Sequence, residues 1–312
     1  MEFSHKSVLL DECIEALDVK PGGTYVDCTA GGGGHSRKIL EALSGTGRLI
    51  AVDRDPDAIR VLQERLGEYE NVTIVRDNFF NIKSILSDLG INGADGILAD
   101  LGVSSFQLDN AERGFSFHND APLDMRMSKE GKTAADVVNT YDERQLSFIL
   151  RKYGEEKFAA SIAKAIVRER NIKNIETTLE LAEIVKSAIP AAARRTGGHP
   201  ARRTFQALRI EVNGELDKLS QAAGELFESL NKDGRLCVIT FHSLEDRLIK
   251  QTFASLCQGC TCPPEFPVCV CGKKPKGRLA FKFKKPTEQE LRENQRSRSA
   301  TLRCIERIEE TI

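Results

Sequence analysis

The sequence predicts a doubly wound α/β domain with a mainly parallel sheet, interrupted by a mostly helical insertion. Three observations predict it. Short apolar runs alternate with helix-length segments over the first hundred residues, as in a parallel sheet covered on both faces. From about 134 to 190 no strand-like run appears, and apolar residues recur at helical spacing. A β/α signal then returns near 234.

In chain order, 24–28 reads as a strand, and the glycines at 31–34 open a helix that continues through Ile39 and Leu43. The run 48–53 is a second strand. Pro56 sits where a helix start tolerates proline, ahead of Ala58, Ile59, Leu62 and Leu66 at helical spacing. Strands at 72–75 and 96–100 flank a helix at 82–89. Helices follow at 142–153, 155–170 and 176–188, the last ended by Pro190. A strand at 234–241, a helix at 244–255 and a last strand at 301–305 complete the reading. The joins are expected after 108 and 212: a first part at 1–108, an inserted helical substrate-recognition domain at 109–212, and a second part at 213–312 containing a Cys-rich loop (257–271) and a basic C-terminal segment.

The 312 residues are 40% hydrophobic and 29% charged, ordinary for a globular chain of about two domains. No apolar run approaches the ~18 residues that span a bilayer, and the first residues lack a signal-peptide core. Membrane and secreted classes are excluded, and a cytoplasmic protein is expected. Charge is balanced overall, with 45 basic against 46 acidic residues, but it is polarised locally. Residues 191–210 carry Arg194, Arg195, Arg202, Arg203 and Arg209 with no acid. Residues 273–303 carry eleven Lys or Arg against three Glu, a local net of +8. Such segments suit a polyanion.

The loop Asp27-Cys28-Thr29-Ala30-Gly31-Gly32-Gly33-Gly34-His35 joins a strand to a helix. Its glycines allow a tight turn and close approach of a ligand to the helix start. It fits a dinucleotide fingerprint only loosely, because Ser36 replaces the third glycine and Asp27 precedes the first by four residues. An amine-bearing nucleoside such as S-adenosylmethionine suits this acid-plus-glycine arrangement. Asp53, 22 residues past Gly31, is placed to accept hydrogen bonds from ribose hydroxyls. Asp100 ends the fourth strand, so Asp27, Asp53 and Asp100 line one crevice beyond the strand ends, where Asp100 can hold the cofactor's amine or accept a substrate proton.

Five longer motifs follow in order: Asp100–Ser105 (DLGVSS), Glu112–Phe117 (ERGFSF), Pro122–Met127 (PLDMRM), Ala201–Arg209 (ARRTFQALR) and Phe241–Arg247 (FHSLEDR). With the glycine loop and the RSRSA stretch starting at Arg296, the chain resembles the bacterial 16S ribosomal RNA cytosine-N(4) methyltransferase family nearly end to end. The resemblance implies a Rossmann-like S-adenosylmethionine-dependent methyltransferase fold with an inserted helical domain, and methylation of the exocyclic amine of a decoding-centre cytidine. By motif position the cofactor contacts carry over to Gly33, Gly34, His35, Asp53, Phe79, Asp100 and Gln107, beside the Asp27 and Gly31 already read from the loop. The implied partner is 16S rRNA within the small ribosomal subunit; a homodimer is left open.

A cytosine amine is a poor nucleophile because its lone pair is delocalised into the ring, so catalysis rests on positioning and on an acceptor for its proton. Asp100 is the first candidate. The chain departs here from the amino-methyltransferase pattern of an acid, amide or hydroxyl residue followed by two prolines and an aromatic, since Leu101-Gly102-Val103 follow. Asp124, His242 and Asp246 therefore stand as alternatives. The sequence contains no Pro-Cys dipeptide, in keeping with amine rather than carbon-5 methylation. Phe106, Phe115 and Phe117 are candidates for a base-stacking wall. Phosphate contacts are expected from the arginines of 194–209 (Arg194, Arg195, Arg202, Arg203, Arg209) and from Arg113, Arg126, Arg247, Arg296 and Arg298.

Nine cysteines without a secretory signal are expected as thiols. Cys257, Cys260, Cys262, Cys269 and Cys271 cluster within fifteen residues and raise structural zinc, although the one-residue gaps leave little room for both thiols of a pair on one ion. Two other readings remain: a nicotinamide-dependent oxidoreductase, opposed by Ser36, and a non-enzymatic zinc-stapled RNA-binding protein. Titration with S-adenosylmethionine separates all three.

Overall fold

The computed structural model describes residues 7–194, 198–263, 268 and 270–308. They fall into two compact units, Met1–Gly102 with Leu216–Ile312, and Val103–Glu215. The chain therefore leaves the first unit six residues earlier than the join at 108 and returns three residues later than the join at 212.

The first unit is built on a seven-stranded sheet of order β3-β2-β1-β4-β5-β7-β6. The strands are β1 (Thr24–Asp27), β2 (Arg48–Asp53), β3 (Val72–Arg76), β4 (Ala94–Asp100), β5 (Leu230–Thr240), β6 (Gly277–Lys284) and β7 (Thr301–Arg307). The first five run parallel, while β7 pairs antiparallel with both β5 and β6. This is a doubly wound, Rossmann-like sheet with one antiparallel strand inserted, as the resemblance implies.

Alternation along the inner strands loads both faces. Val26, Ile50, Val52, Ile97, Ala99, Leu236 and Val238 enter one core with Ile82, Leu226, Phe227 and Phe253. Their neighbours Tyr25, Leu49, Ala51, Leu98, Cys237 and Ile239 enter the other, against Leu9, Cys13, Ile39, Leu43, Leu62 and Leu66. Strands buried on both faces read as unbroken apolar runs, which is why they are visible in sequence.

Two strands differ from expectation. β5 begins at Leu230 rather than 234, extending through a turn in which Asp233 takes φ 64°. β6 is absent from the sequence-based expectation altogether. It is an edge strand with mostly exposed residues, Leu279 and Phe283 among them, so its alternation marks no core. Glu306 on β7 holds β5 and β6 together, accepting from Arg235 on one side and Arg278 on the other.

The second unit is helical: Ser105–Asp109, Ala134–Thr140, Glu143–Gly154, Ala159–Arg170, Thr178–Ala188, Ala191–Arg194 and Arg202–Asn213. Thr133, Asp142 and Thr177 each close a capping box, supplying the first-turn amides with acceptors. The helix expected from 155 starts at Ala159, because Glu155 turns left-handed (φ 48°) and ends the preceding helix.

Candidate active site

Strand order reverses between β1 and β4, which places a crevice beyond their carboxyl ends. Local hydrogen bonds lace those ends together. Cys28 N–H donates to Leu98 O (2.8 Å), Asp100 N–H to Thr29 Oγ1 (2.6 Å), Ala30 N–H to Val52 O (3.0 Å) and Leu101 N–H to Ile239 O (3.0 Å). Asp27, Asp53 and Asp100 thus end three adjacent strands.

Asp27 is 1% exposed; it accepts from Ser36 Oγ (2.6 Å) and Thr29 N–H (3.2 Å). Ser36, the residue that departs from the dinucleotide fingerprint, is therefore the buried partner of the acid. Asp53 accepts Gly31 N–H at one oxygen and Asp55 N–H at the other, both at 2.8 Å. Each carboxylate oxygen can take a second donor, so this pinning of the loop leaves acceptor sites for hydroxyls. Gly33 caps the helix Gly34–Leu43 at φ 81° with no side-chain cap, and a Cβ on Gly34 would collide with Ser7 Oγ. His35 is buried, its Nε2–H donating to Val8 O (3.1 Å), and burial lowers its pKa to about 4, so the ring is neutral. Any cofactor contact by His35 falls to its backbone amide. Phe79 opens a short helical turn after β3 and packs edge-on against Phe80 (4.8 Å).

Burial raises the Asp27 carboxyl to about 6, although the Ser36 and Thr29 hydrogen bonds oppose it. The folded chain then holds this proton more tightly than the unfolded chain does. Stability from this group is present below about pH 4 and is lost as pH rises through about 6, a cost near 3 kcal/mol for two pKa units. Urea unfolding at pH 4.5 and 7.5 is expected to show this loss in the wild type and a smaller one in Asp27→Asn. An equal loss in both would remove Asp27 as its source.

Asp100 differs from the other two acids. Its Oδ1 is buried and has no hydrogen-bond partner among the described residues. Burial, then the charges of Asp27 and Glu245, raise its pKa well above the usual carboxylate range. A desolvated, unpaired carboxylate oxygen is costly unless a ligand completes it. Such an atom fits the ammonium of S-adenosylmethionine or a substrate N–H.

Two of the alternative acceptors, Asp246 and Asp124, are committed to arginines, whereas His242 keeps a buried Nε2 that no described residue bonds. Asp246 forms a two-point pair with Arg303 (2.8 and 2.9 Å); burial raises its pKa, but Arg303 more than offsets this and leaves it low. Asp124, in the helical unit, pairs likewise with Arg126 (2.7–3.2 Å), which overcomes burial and lowers its pKa. His242 caps the helix Ser243–Cys257 in a capping box with Glu245. Its Nε2 lies 3.0 Å from Glu245 Oε1 but off the line a hydrogen bond requires. Gln107, also in the helical unit, is buried in a capping box with Ser104.

Two expected phosphate contacts are corrected. Arg113 is 6% exposed and donates to the carbonyls of Arg126 and Met127, while Arg209 is clamped by Glu215 (2.8 and 2.9 Å). Charge alone does not reveal that both guanidinia face inward. Arg194, Arg202, Arg203, Arg247, Arg296 and Arg298 are exposed, and Arg195 lies outside the described residues. Phe115 is core, and Phe117 stacks on His199 (4.3 Å, 11°). Of the clustered cysteines, Cys260, Cys262 and Cys271 converge, Cys257 ends a helix, and Cys269 lies outside the described residues.

One surface goes beyond the sequence-based expectation. On the helix Glu143–Gly154, Phe148 is 60% exposed and lines a hollow of about 560 Å³ with Arg144, Arg151 and Lys152. Lys152 Nζ stands 5.3 Å from the Phe148 ring centre. A signal exists in the sequence: Leu146, Ile149, Leu150 and Tyr153 form the buried face, which leaves Phe148 on the wet side.

Among the described residues no helix is long and apolar enough to cross a membrane. The chain is 56% identical to "Ribosomal RNA small subunit methyltransferase H" of Lachnospira eligens over 99% of both chains. A protein of the same name from Clostridium botulinum (strain Kyoto) is also 56% identical, covering 99% of this chain and all of that one. A crystal structure titled as a putative rRNA-methylase from Clostridium thermocellum aligns over 99% of both chains with TM-score 0.46 and 12% identity, too distant to bear on the site. The MraW methylase family profile matches residues 2–308. With its methyltransferase sheet and near-complete match, the chain belongs to the MraW methylase family.

Proposed function

We propose that the chain is an S-adenosylmethionine-dependent methyltransferase acting on the N(4) amine of a decoding-centre cytidine of 16S rRNA, within the small ribosomal subunit of the cytoplasm. The observation that carries the reading is the buried Asp100 Oδ1 at the switch point, which no described residue bonds. The relatives' shared name supports the RNA.

When bound, S-adenosylmethionine supplies a methyl group on a cationic sulfonium. Asp53 and the Gly31–Gly34 backbone orient the nucleoside, with Asp27 and Ser36 holding the loop in place. Asp100, ionised, accepts a hydrogen bond from the cytosine amine, which draws its lone pair out of conjugation and stabilises the charge that develops on nitrogen. Transfer would then be a direct in-line displacement with no covalent intermediate, the N–CH3 bond forming as the sulfonium C–S bond breaks and the amine proton passing to Asp100. Carbon-5 methylation would need a thiolate, but Cys28, beside Asp27, is 2% exposed and burial raises its thiol pKa well above the ordinary value. In the helical unit, Phe148 with Arg144, Arg151 and Lys152 offers a stacking ring among cations, as single-stranded RNA contacts require.

The test is transfer from methyl-labelled S-adenosylmethionine to small subunits lacking the modification, with the RNA digested to nucleosides. Label in N(4)-methylcytidine is expected. Label in 5-methylcytidine, or none on either subunits or naked RNA while the cofactor still binds, would overturn the substrate assignment.

A further inference from the structure

We propose that Cys260, Cys262 and Cys271 form a three-thiolate zinc site that staples the loop between the helix Ser243–Cys257 and β6. The methyl-transfer reading makes no use of these residues, and the inference does not depend on it. Their sulfur atoms all lie within 4.8 Å of one another. Cys260 and Cys271 Sγ are 3.6 Å apart, far beyond the ~2.05 Å of a disulfide. Thiolates on one tetrahedral zinc, each ~2.3 Å from the ion, stand ~3.8 Å apart. Despite their one-residue spacing, Cys260 and Cys262 bring their sulfur atoms within 4.8 Å of each other. The backbone turns between them, and Cys262 N–H donates back to Cys260 Sγ (3.4 Å). Val270 N–H donates to Cys262 Sγ at the same distance. Two backbone amides thus fix the positions of the Cys260 and Cys262 sulfur atoms.

Among the described residues no buried apolar contact accounts for the convergence. None of the loop's described residues from 258 to 276 is buried, and Val268 and Val270 are 70% and 73% exposed. An all-sulfur donor set selects a soft ion such as zinc over magnesium or calcium. Three protein thiolates leave the fourth position of a tetrahedral ion to a further ligand. Cys257, at the end of the helix, is outside the set.

The experiment uses the full chain, reduced, stripped with chelator and titrated with Zn²⁺ against a competing chelator. One tight equivalent per chain is expected, with release of protons as thiols ionise. Co²⁺ in its place should give sulfur-to-metal charge-transfer absorption, which reports thiolate ligation in the wild type without any substitution. Cys260→Ser and Cys271→Ser should each weaken zinc by more than about 100-fold, beyond the loss of an outer-shell partner. Cys257→Ser should leave affinity within a few-fold. No tight equivalent in the wild type, cobalt without the sulfur band, unchanged affinity in Cys260→Ser, or a Cys260–Cys271 disulfide in anaerobically prepared protein would each overturn the site.

Discussion

Asp100→Asn is expected to slow single-turnover methyl transfer by about 10³-fold while leaving the fold intact. The fold should survive because the contact that Asp100 makes with the β1 end is through its backbone amide, donated to Thr29 Oγ1, and asparagine keeps that amide and the side-chain shape. The rate should fall because an amide cannot become the anion that the attacking nitrogen requires, and positioned proton acceptors contribute roughly 10²–10⁴-fold. The pH profile sharpens the test. Burial and two neighbouring carboxylates raise the Asp100 pKa, so the wild-type rate should rise as pH rises through that value, the ionised form being the active one. The Asn variant should lose this limb. Cofactor affinity, measured separately, should change by only a few-fold. A large loss of affinity at unchanged single-turnover rate under saturating cofactor would assign the carboxylate to the cofactor's ammonium, and no loss of either would remove Asp100 from the site.

The three strand-end acids are legible in the sequence because they rest on the strongest signals a sequence carries. Parallel strands buried on both faces are continuous apolar runs, and the residue that ends such a run sits at the crevice whatever the details of packing. Ser36 is legible only as an exception to a fingerprint; its meaning, a buried hydroxyl held by Asp27, needs three dimensions. Elements whose burial is shallow or whose partners are remote do not show. β6 alternates, but its side chains are mostly exposed, so hydrophobicity does not separate it from loop. Arg113 and Arg209 look like surface charge because a side chain's neutralising partners, here two backbone carbonyls and Glu215, leave no trace in composition. His242 is ambiguous because histidine is an unusual helix cap, so the box it forms with Glu245 does not match the Ser/Thr pattern.

Replacing Arg144, Arg151 and Lys152 together by Glu is expected to weaken binding to small-subunit RNA by about 10²-fold at moderate salt, with methyl transfer at saturating substrate retained. The three cations share the hollow with Phe148, and each phosphate left without its cation should reduce the slope of log affinity against log salt by about 0.7–0.9. A fall of about 2 in that slope is the signature of fewer phosphates neutralised, which misfolding would not reproduce. Phe148→Ala separates stacking from charge. It should cost about 1–3 kcal/mol of binding, the range of one base on an aromatic ring, while leaving the salt slope unchanged. Phe148 is largely exposed, so its removal opens no cavity, and thermal stability should hold. Unchanged affinity and salt slope in the triple variant would move RNA docking to the exposed arginines Arg194, Arg202 and Arg203 instead. A lowered rate at saturating substrate would mean that this face positions the reacting base, because a surface used only for capture changes KM and leaves kcat alone.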